Sequence, residues 1–306
     1  MPRISVCLTH YNRPDRLAAT LESLAAQPRM PDEVFLWDDC SPHDPSEVAS
    51  SFCRRFPHFV YHRNERNLGM PGNLNAVLAR ATGDYVANLH DADVFHPQLL
   101  EKWAQALEAH PSAGLVFCGL DATRSNPAGP EMLVPDIAPL TAGRDFFDRW
   151  FVGRTKSVIW GTVMTRKTAY ARLLPFDPRY RNWADVDLWM RLCRDYDIAY
   201  VREPLIVLDN TFTPQRRFSW YRIMLMQEMC FANIRRIYSG EPHSMQSALT
   251  RQRRCLRLAY VRFLAGSIRW LDFARLCDGV VLAARVFRAD ATTGDGRLVA
   301  RLLSPG

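Results

Sequence analysis

The sequence has no run of 18 uninterrupted apolar residues, so no membrane-spanning helix is expected. Met1–His10 lacks the long apolar core of a signal peptide. The eight cysteines form no C-x-x-C pair and no metal-ligand spacing. They read as reduced, mostly buried thiols of a cytoplasmic protein. No G-x-G-x-x-G follows the first apolar run, which argues against a dinucleotide-binding oxidoreductase, and no G-x-x-x-x-G-K-[ST] is present to suggest a P-loop NTPase. Internal repeats and low-complexity tracts are missing. Lysine is absent from Phe212 to Gly306, a stretch with 16 arginines and 6 acidic residues. That stretch carries a net charge of +10, so the whole-chain value of +7 leaves −3 for everything before it. The basic character belongs to the C-terminal third, and its partners are a separate question.

What is present is an alternation. Apolar runs at Ile4–Thr9, Glu33–Trp37, Phe59–His62, Tyr85–Leu89 and Ala113–Phe117 read as strands. Between them, Arg13–Gln27, Pro45–Phe56, Met70–Ala81 and Pro97–His110 carry helical spacing. Strands alternating with helices predict an α/β fold with a mostly parallel sheet covered on both faces. Residues 121–143, rich in Pro, Gly, Asn and Ala, read as a long surface loop of the kind that often binds or covers a ligand. Further on, Arg144–Val152 and Val186–Tyr196 are expected helices, Val158–Met164 is an apolar run, and strands fall near Ile198–Val201 and Leu205–Leu208.

In an open parallel sheet, ligands sit beyond the carboxyl ends of the strands. There the sequence places Thr9-His10-Tyr11-Asn12-Arg13, Asp38-Asp39-Cys40-Ser41, Arg63–Gly69 and His90-Asp91-Ala92-Asp93. Asp91 and Asp93 are close enough in sequence to share a divalent cation that bridges a diphosphate, or to form a polar turn. Asp38 and Asp39 suit a nucleobase or ribose edge, or an Asx turn. Tyr11 suits stacking on a base. Asp185 either caps a helix or serves as a general base for an acceptor hydroxyl.

Taken together, Ser5–Pro14 (SVCLTHYNRP), Pro31–Ser41 (PDEVFLWDDCS), Arg63–Asn75 (RNERNLGMPGNLN), Gly83–Pro97 (GDYVANLHDADVFHP) and Asp185–Leu192 (DVDLWMRL) resemble glycosyltransferase family 2, which has the GT-A fold. The resemblance covers about two-thirds of the chain, in order. It implies a catalytic domain over 1–211, with a nucleotide-sugar half at about 1–120 and an acceptor half at about 121–211. It implies nucleotide contacts from Thr9, Tyr11, Asn12, Asp38, Asp39, Asn67 and Asp91. It also implies a Mn²⁺ or Mg²⁺ ion at Asp91 and Asp93, and Asp185 as the base with Asp187 as its understudy. The implied reaction is an inverting, single-displacement transfer from a nucleoside-diphosphate sugar, UDP-linked by preference. The implied acceptor is a saccharide or lipid-linked saccharide of bacterial cell-surface assembly. Three positions depart from the family pattern. Ala92 stands where a metal-binding Asp is common, Ala184 replaces the first acid of the family's acidic pair, and the segment 209–217 lacks the family's His. Arg216 and Arg217 are candidates to neutralise the diphosphate instead. These departures leave a degenerate nucleotide-sugar-binding protein as one alternative; a sugar nucleotidyltransferase, which shares a similar sheet and metal logic, is another.

The remainder, 212–306, reads as a basic amphipathic helical extension, with helices at Phe218–Tyr238 and Gln246–Leu271. Arg251, Arg254, Arg262 and Arg269 recur near multiples of the helical repeat and share one face. That face is either solvated or attached to the anionic inner face of the cytoplasmic membrane. No nucleic-acid motif accompanies the charge, and no nucleic-acid partner is expected.

Overall fold

A computed structural model describes residues 1–122, 132–208 and 220–269. The chain divides into two compact units, Met1–Gly143 with Ile159–Arg217, and Arg144–Val158 with Phe218–Gly306. The second unit therefore takes in 144–158, a stretch that in sequence reads as part of the acceptor half.

The first unit opens with β1 (Ile4–His10), α1 (Pro14–Ala25), β2 (Glu33–Asp38), α2 (Ser46–Phe52), β3 (Phe59–Arg63), α3 (Gly69–Leu78) and β4 (Tyr85–His90). Strand β1 shows why the alternation folds this way. Ile4, Val6 and Leu8 join Leu17, Leu21 and Leu24 of α1 in one buried cluster. Alternate strand residues point to opposite faces, and on the other face Cys7 Sγ lies 4.0 Å from Val77 O of α3. Helices on both faces leave β2 buried at every position.

The rest of the unit comprises β5 (Asp93–Phe95), α4 (Leu99–Ala109), β6 (Ala113–Asp121), the short β7 (Met132–Leu133) and β8 (Leu140–Thr141), β9 (Val163–Arg166), α6 (Lys167–Leu173), α7 (Ala184–Leu192) and β10 (Asp197–Leu208). The sheet order is β3-β2-β1-β4-β9-β6-β10-β5. The block β3-β2-β1-β4 is parallel, as is the pair β6 and β10. Strand β9 runs antiparallel between the two blocks, and β5 antiparallel to β10. The sheet is thus mixed.

Two local features differ from the sequence expectation for physical reasons. Strands expected at 198–201 and 205–208 are one strand, β10, whose register shifts around Pro204. Proline cannot donate to the ladder, so the strand bulges there and continues. The apolar run 158–164 becomes a strand only from Val163, and its last residue is Arg166. That guanidinium donates to Leu107 O at 2.5 Å, Ala113 O at 2.7 Å and His110 O at 3.2 Å. It ties the end of α4 to the start of β6 by adding a charged donor to carbonyls of both.

In the second unit, α5 (Gly143–Trp150) brings Phe146 and Phe147 against Phe151, with ring centroids 5.8 and 6.1 Å apart. Helices α8 (Trp220–Ile237) and α9 (Pro242–Arg269) pack through Ile223, Leu256, Ala259, Tyr260 and Phe263. Gln252 Nε2 donates to Gln227 Oε1 at 2.6 Å inside this contact. Arg251 pairs with Asp148 at 2.6 Å, which takes it out of the expected free arginine face.

Candidate active site

The register of the parallel block brings four strand ends to one edge. Thr9 lies between Trp37 of β2 and His90 of β4, and His10 lies beside Asp38. The chain must then turn sharply. Asn12 and Cys40 take left-handed backbone angles, with φ of 52° and 59°. Asn tolerates that region better than most residues, whereas Cys is unusual there. The two turns meet where Asn12 N donates to Ser41 Oγ at 2.8 Å.

Each acidic residue at this edge has a different set of partners. Asp38 is fully buried. It accepts from Ser41 N at 3.2 Å, from the Ser41 hydroxyl and from Arg63 Nη1 at 3.1 Å, so it organises the turn. Asp39 is also buried, and its Oδ1 accepts from Leu68 N at 2.7 Å and Asn64 Nδ2 at 3.0 Å. Asn64 in turn donates to Asn73 Oδ1 at 2.8 Å, and Asn73 to Trp37 O at 3.0 Å. This buried amide relay fixes Asp39. Asn67 is exposed, and its Oδ1 accepts from Gly69 N at 2.9 Å in the turn that starts α3. Tyr11 stands in solvent at 48% exposure, while Thr9 is half-buried.

Asp91 and Asp93 do not converge. Asp91 Oδ1 accepts from Arg13 Nη1 at 3.0 Å. Its Oδ2 accepts from Tyr11 N at 3.1 Å and lies 2.8 Å from the buried His10 Nδ1. Both oxygens are committed. Asp93 points elsewhere. It is fully buried in β5, its Oδ2 accepts from Thr162 Oγ1 at 2.8 Å, and burial pushes its carboxyl up to about 7. Ala92 between them is 3% exposed and offers no ligand. Among the described residues, no group of three His, Cys, Asp or Glu side chains is arranged to hold a metal ion. The shared-cation arrangement expected from the sequence does not fit these residues.

The next group joins Asp185, the base expected from the sequence, to His90 and Gly161, a grouping that only the fold brings about. His90 ends β4 with its side chain 31% exposed, and its Nδ1 is 3.8 Å from Asp93 Oδ2. Burial lowers the imidazole to about 4, so it is neutral at physiological pH. Asp185, in the first turn of α7, accepts from Val186 N at 2.8 Å. Trp183 holds the cap position, so Asp185 is not the cap. Desolvation raises the Asp185 carboxyl to about 6, against the acid-favouring pull of a helix N-terminus. Gly161 lies between the two. A Cβ there would fall 2.4 Å from His90 Nε2 and 2.7 Å from Asp185 Oδ2. Glycine is what lets the imidazole and the carboxylate approach over one backbone.

Asp187 is not brought to this group. Its Oδ2 accepts from Arg191 Nε at 2.9 Å, and Arg191 also donates to Leu173 O and, at 3.1 Å, to Pro175 O. That pair ties α7 to the chain after α6. Arg216 and Arg217 lie outside the described residues. The residues that sequence reading missed are Arg13, Asn64, His90, Gly161 and Thr162. His90 and Arg13 carried a usable signal, since each sits at a strand end. Gly161 and Thr162 carried none, because the run around them reads only as apolar.

Comparison with known proteins gives this geometry its place. Residues 5–147 match the family described as Glycosyl transferase family 2. The EpsE protein of Bacillus subtilis is 30% identical over 196 residues, covering 62% of this chain and 66% of that protein. The chain spans about two-thirds or less of the first curated relatives it matches. Among solved structures, S. aureus TarS 1–349 superposes with a TM-score of 0.62 at 16% identity, covering 96% of this chain and 95% of that one. TarS has also been solved with UDP and with UDP-GlcNAc. A mannosyltransferase from Pyrobaculum calidifontis, solved with GDP-Man and Mn²⁺, superposes with a TM-score of 0.56 at 17% identity, covering 98% and 86%. With its strand-edge motifs, its mixed sheet and these matches, the chain belongs to glycosyltransferase family 2 and has the GT-A fold.

Proposed function

We propose that this glycosyltransferase moves a sugar from a nucleoside-diphosphate sugar, UDP-linked by preference, to an acceptor hydroxyl with inversion at the anomeric carbon. The observation that carries the reading is Asp185. It is a buried carboxylate raised to about 6, set across Gly161 from His90, which ends the strand paired with Thr9 at the edge that carries the turns at Tyr11 and Asp39. A base with that acidity is ionised at neutral pH yet basic enough to accept a hydroxyl proton as the bond to carbon forms. The UDP complexes of TarS, a protein of the same fold, support the choice of donor.

In this reading the nucleotide lies along the ends of β1 and β2. Tyr11 stacks on the base and Asp39 accepts from a base N–H, held in place by Asn64 and Leu68 N. Asp38 shapes the turn. Asp185 takes the proton of the attacking hydroxyl, and Asp187 holds α7 through Arg191. A general base supplies roughly 10²–10⁴ of rate, so about 10²–10⁴ of a 10⁶-fold acceleration must come from positioning and electrostatics. The leaving diphosphate gains negative charge. Because Asp91 and Asp93 do not fit a shared Mn²⁺ or Mg²⁺, no step is routed through a cation. Arg13 is a positive group at this edge, while Arg63 there is taken up by Asp38 and Ser41 O. Asp91 holds it by one nitrogen, its side chain is 43% exposed, and its other N–H groups make no bond among the described residues. Arg13 is assigned to the diphosphate.

The acceptor is assigned as a saccharide or lipid-linked saccharide. On α9, Arg254, Arg257 and Arg262 are exposed beside Leu258 and Val261, and no acidic residue occurs from Pro242 to Arg269. Among the described residues no helix is long and apolar enough to cross a membrane. A basic face with apolar side chains suits contact with an anionic bilayer surface.

The test is calorimetric titration with UDP, GDP, dTDP and CMP, with and without Mn²⁺, followed by a transfer assay on wild type and Asp185→Asn. One nucleotide binding to both proteins, with transfer lost only in Asp185→Asn, is the expected result. Transfer retained by Asp185→Asn removes Asp185 from its role. Binding with no turnover on any donor and acceptor favours the degenerate binding protein that Ala92 and Ala184 suggest.

A further inference from the structure

The two ends of the proposed donor site leave a middle that has been given no residue. Tyr11 and Asp39 mark the nucleotide end, and Asp185 marks the point at which the acceptor hydroxyl loses its proton. The transferred sugar must lie between them, because its anomeric carbon is bonded to the diphosphate and attacked from the opposite side. His90 occupies that interval. It is the last residue of β4, paired with Thr9, and it precedes Asp91, the residue that holds Arg13 and the Tyr11 backbone. Its Nε2 approaches Asp185 Oδ2 across Gly161, at no more than the sum of 2.4 and 2.7 Å, and no hydrogen bond joins the two. Its Nδ1 faces Asp93, whose carboxylate is held by Thr162.

We propose that His90 is a sugar-contacting residue of the donor site, its imidazole Nε2 engaging a hydroxyl of the transferred sugar beside the Asp185 carboxylate. The assignment rests on the donor-site reading above. Three observations carry it. The ring is 31% exposed at the very end of a buried strand, so it opens on the edge and is not a core histidine. The edge-on contact with Trp160, at 6.1 Å between centroids, holds the ring in place. The absence of a side chain at Gly161 leaves Nε2 and Asp185 Oδ2 facing the same space. An imidazole has one N–H and one lone pair when neutral, and either can meet a sugar hydroxyl. Neither Ala92 nor Ala184 can do so, and Asp91 has both oxygens engaged.

The experiment separates the sugar from the nucleotide. Affinities are measured calorimetrically for UDP against UDP-glucose, UDP-galactose and UDP-GlcNAc, and for GDP against GDP-mannose, on wild type, His90→Ala and His90→Gln. The expected result is that His90→Ala keeps the affinity for the free diphosphate within about twofold. It loses about five- to tenfold for the matching sugar nucleotide, the size of one hydrogen bond. His90→Gln, which keeps a donor and an acceptor, recovers part of that loss. A loss shared equally by diphosphate and sugar nucleotide assigns His90 to general structure and overturns the proposal, and so does no loss at all. Wild type that binds none of the ligands overturns the donor-site reading itself, and the His90 assignment falls with it.

Discussion

Asp185→Asn should make the protein more stable at neutral pH while removing transfer. The change keeps the shape of the side chain, and the amide oxygen can still accept from Val186 N, the one hydrogen bond seen at Asp185 Oδ1. What it removes is a buried negative charge. The Asp185 carboxyl rises from its ordinary 3.8 to about 6 on folding, with desolvation as the leading cause. A folded value above the unfolded one means that the native state binds the proton more tightly. Stability from this group is therefore full below pH 4, is lost as pH rises from about 4 to 6, and stays lost above that. With about 1.4 kcal/mol per unit, ionised Asp185 costs about 3 kcal/mol at pH 8 and about 1 kcal/mol at pH 4.5. Asn carries no such cost. Thermal unfolding of both proteins at pH 8 and pH 4.5 reads the difference, at about 2–4 °C per kcal/mol for a unit of this size. The variant should melt higher at pH 8, and the gap should shrink by more than half at pH 4.5. Equal melting at pH 8, or a gap indifferent to pH, would refute the idea that Asp185 is held ionised against a desolvation penalty.

Further outcomes follow from the same geometry. With Asp185 as base, kcat/KM should fall about tenfold per unit as pH drops below about 6 and level off above it; a profile flat from pH 5 to 8 would exclude that role. Gly161→Ala places a Cβ 2.4 Å from His90 Nε2 and 2.7 Å from Asp185 Oδ2. Transfer should drop by about 10²-fold, the cost of a small misplacement, with nucleoside-diphosphate affinity retained on calorimetry. Arg13→Ala should weaken binding of the diphosphate about tenfold or more and leave binding of the free nucleoside unchanged, since it removes a charge-assisted contact. Arg254→Glu with Arg257→Glu should abolish sedimentation with phosphatidylglycerol vesicles at low salt while transfer to a soluble acceptor persists; unchanged sedimentation would place membrane contact elsewhere.

Much of this molecule is written locally. The order of strands and helices through α4 follows from hydrophobic period, which any stretch of about ten residues displays by itself. That the strand ends carry the chemistry follows from the parallel connection, which forces every loop after a strand to the same edge. Thr9, Tyr11, Asp39 and Asp91 could therefore be placed at one edge, and Asp185 at a helix start, before any packing was known. What each acid does there was decided by tertiary structure. Asp91 meets Tyr11 and Arg13 across some eighty residues of chain, and that pairing occupies the oxygens a cation would need. Asp93 and Asp91 are two apart in sequence, yet strand β5 carries one of them into the core, where desolvation holds its proton. Asp187, a second carboxylate in the first turn of the same helix, is consumed by Arg191 one turn on. The approach of His90 to Asp185 exists only because β9 runs antiparallel beside β4 and sets Gly161 between them. Residue type and period are properties of short segments and can be read from them. Whether a carboxylate is free, paired or proton-bearing depends on which distant groups share its low-dielectric surroundings, and only the folded chain brings those groups together.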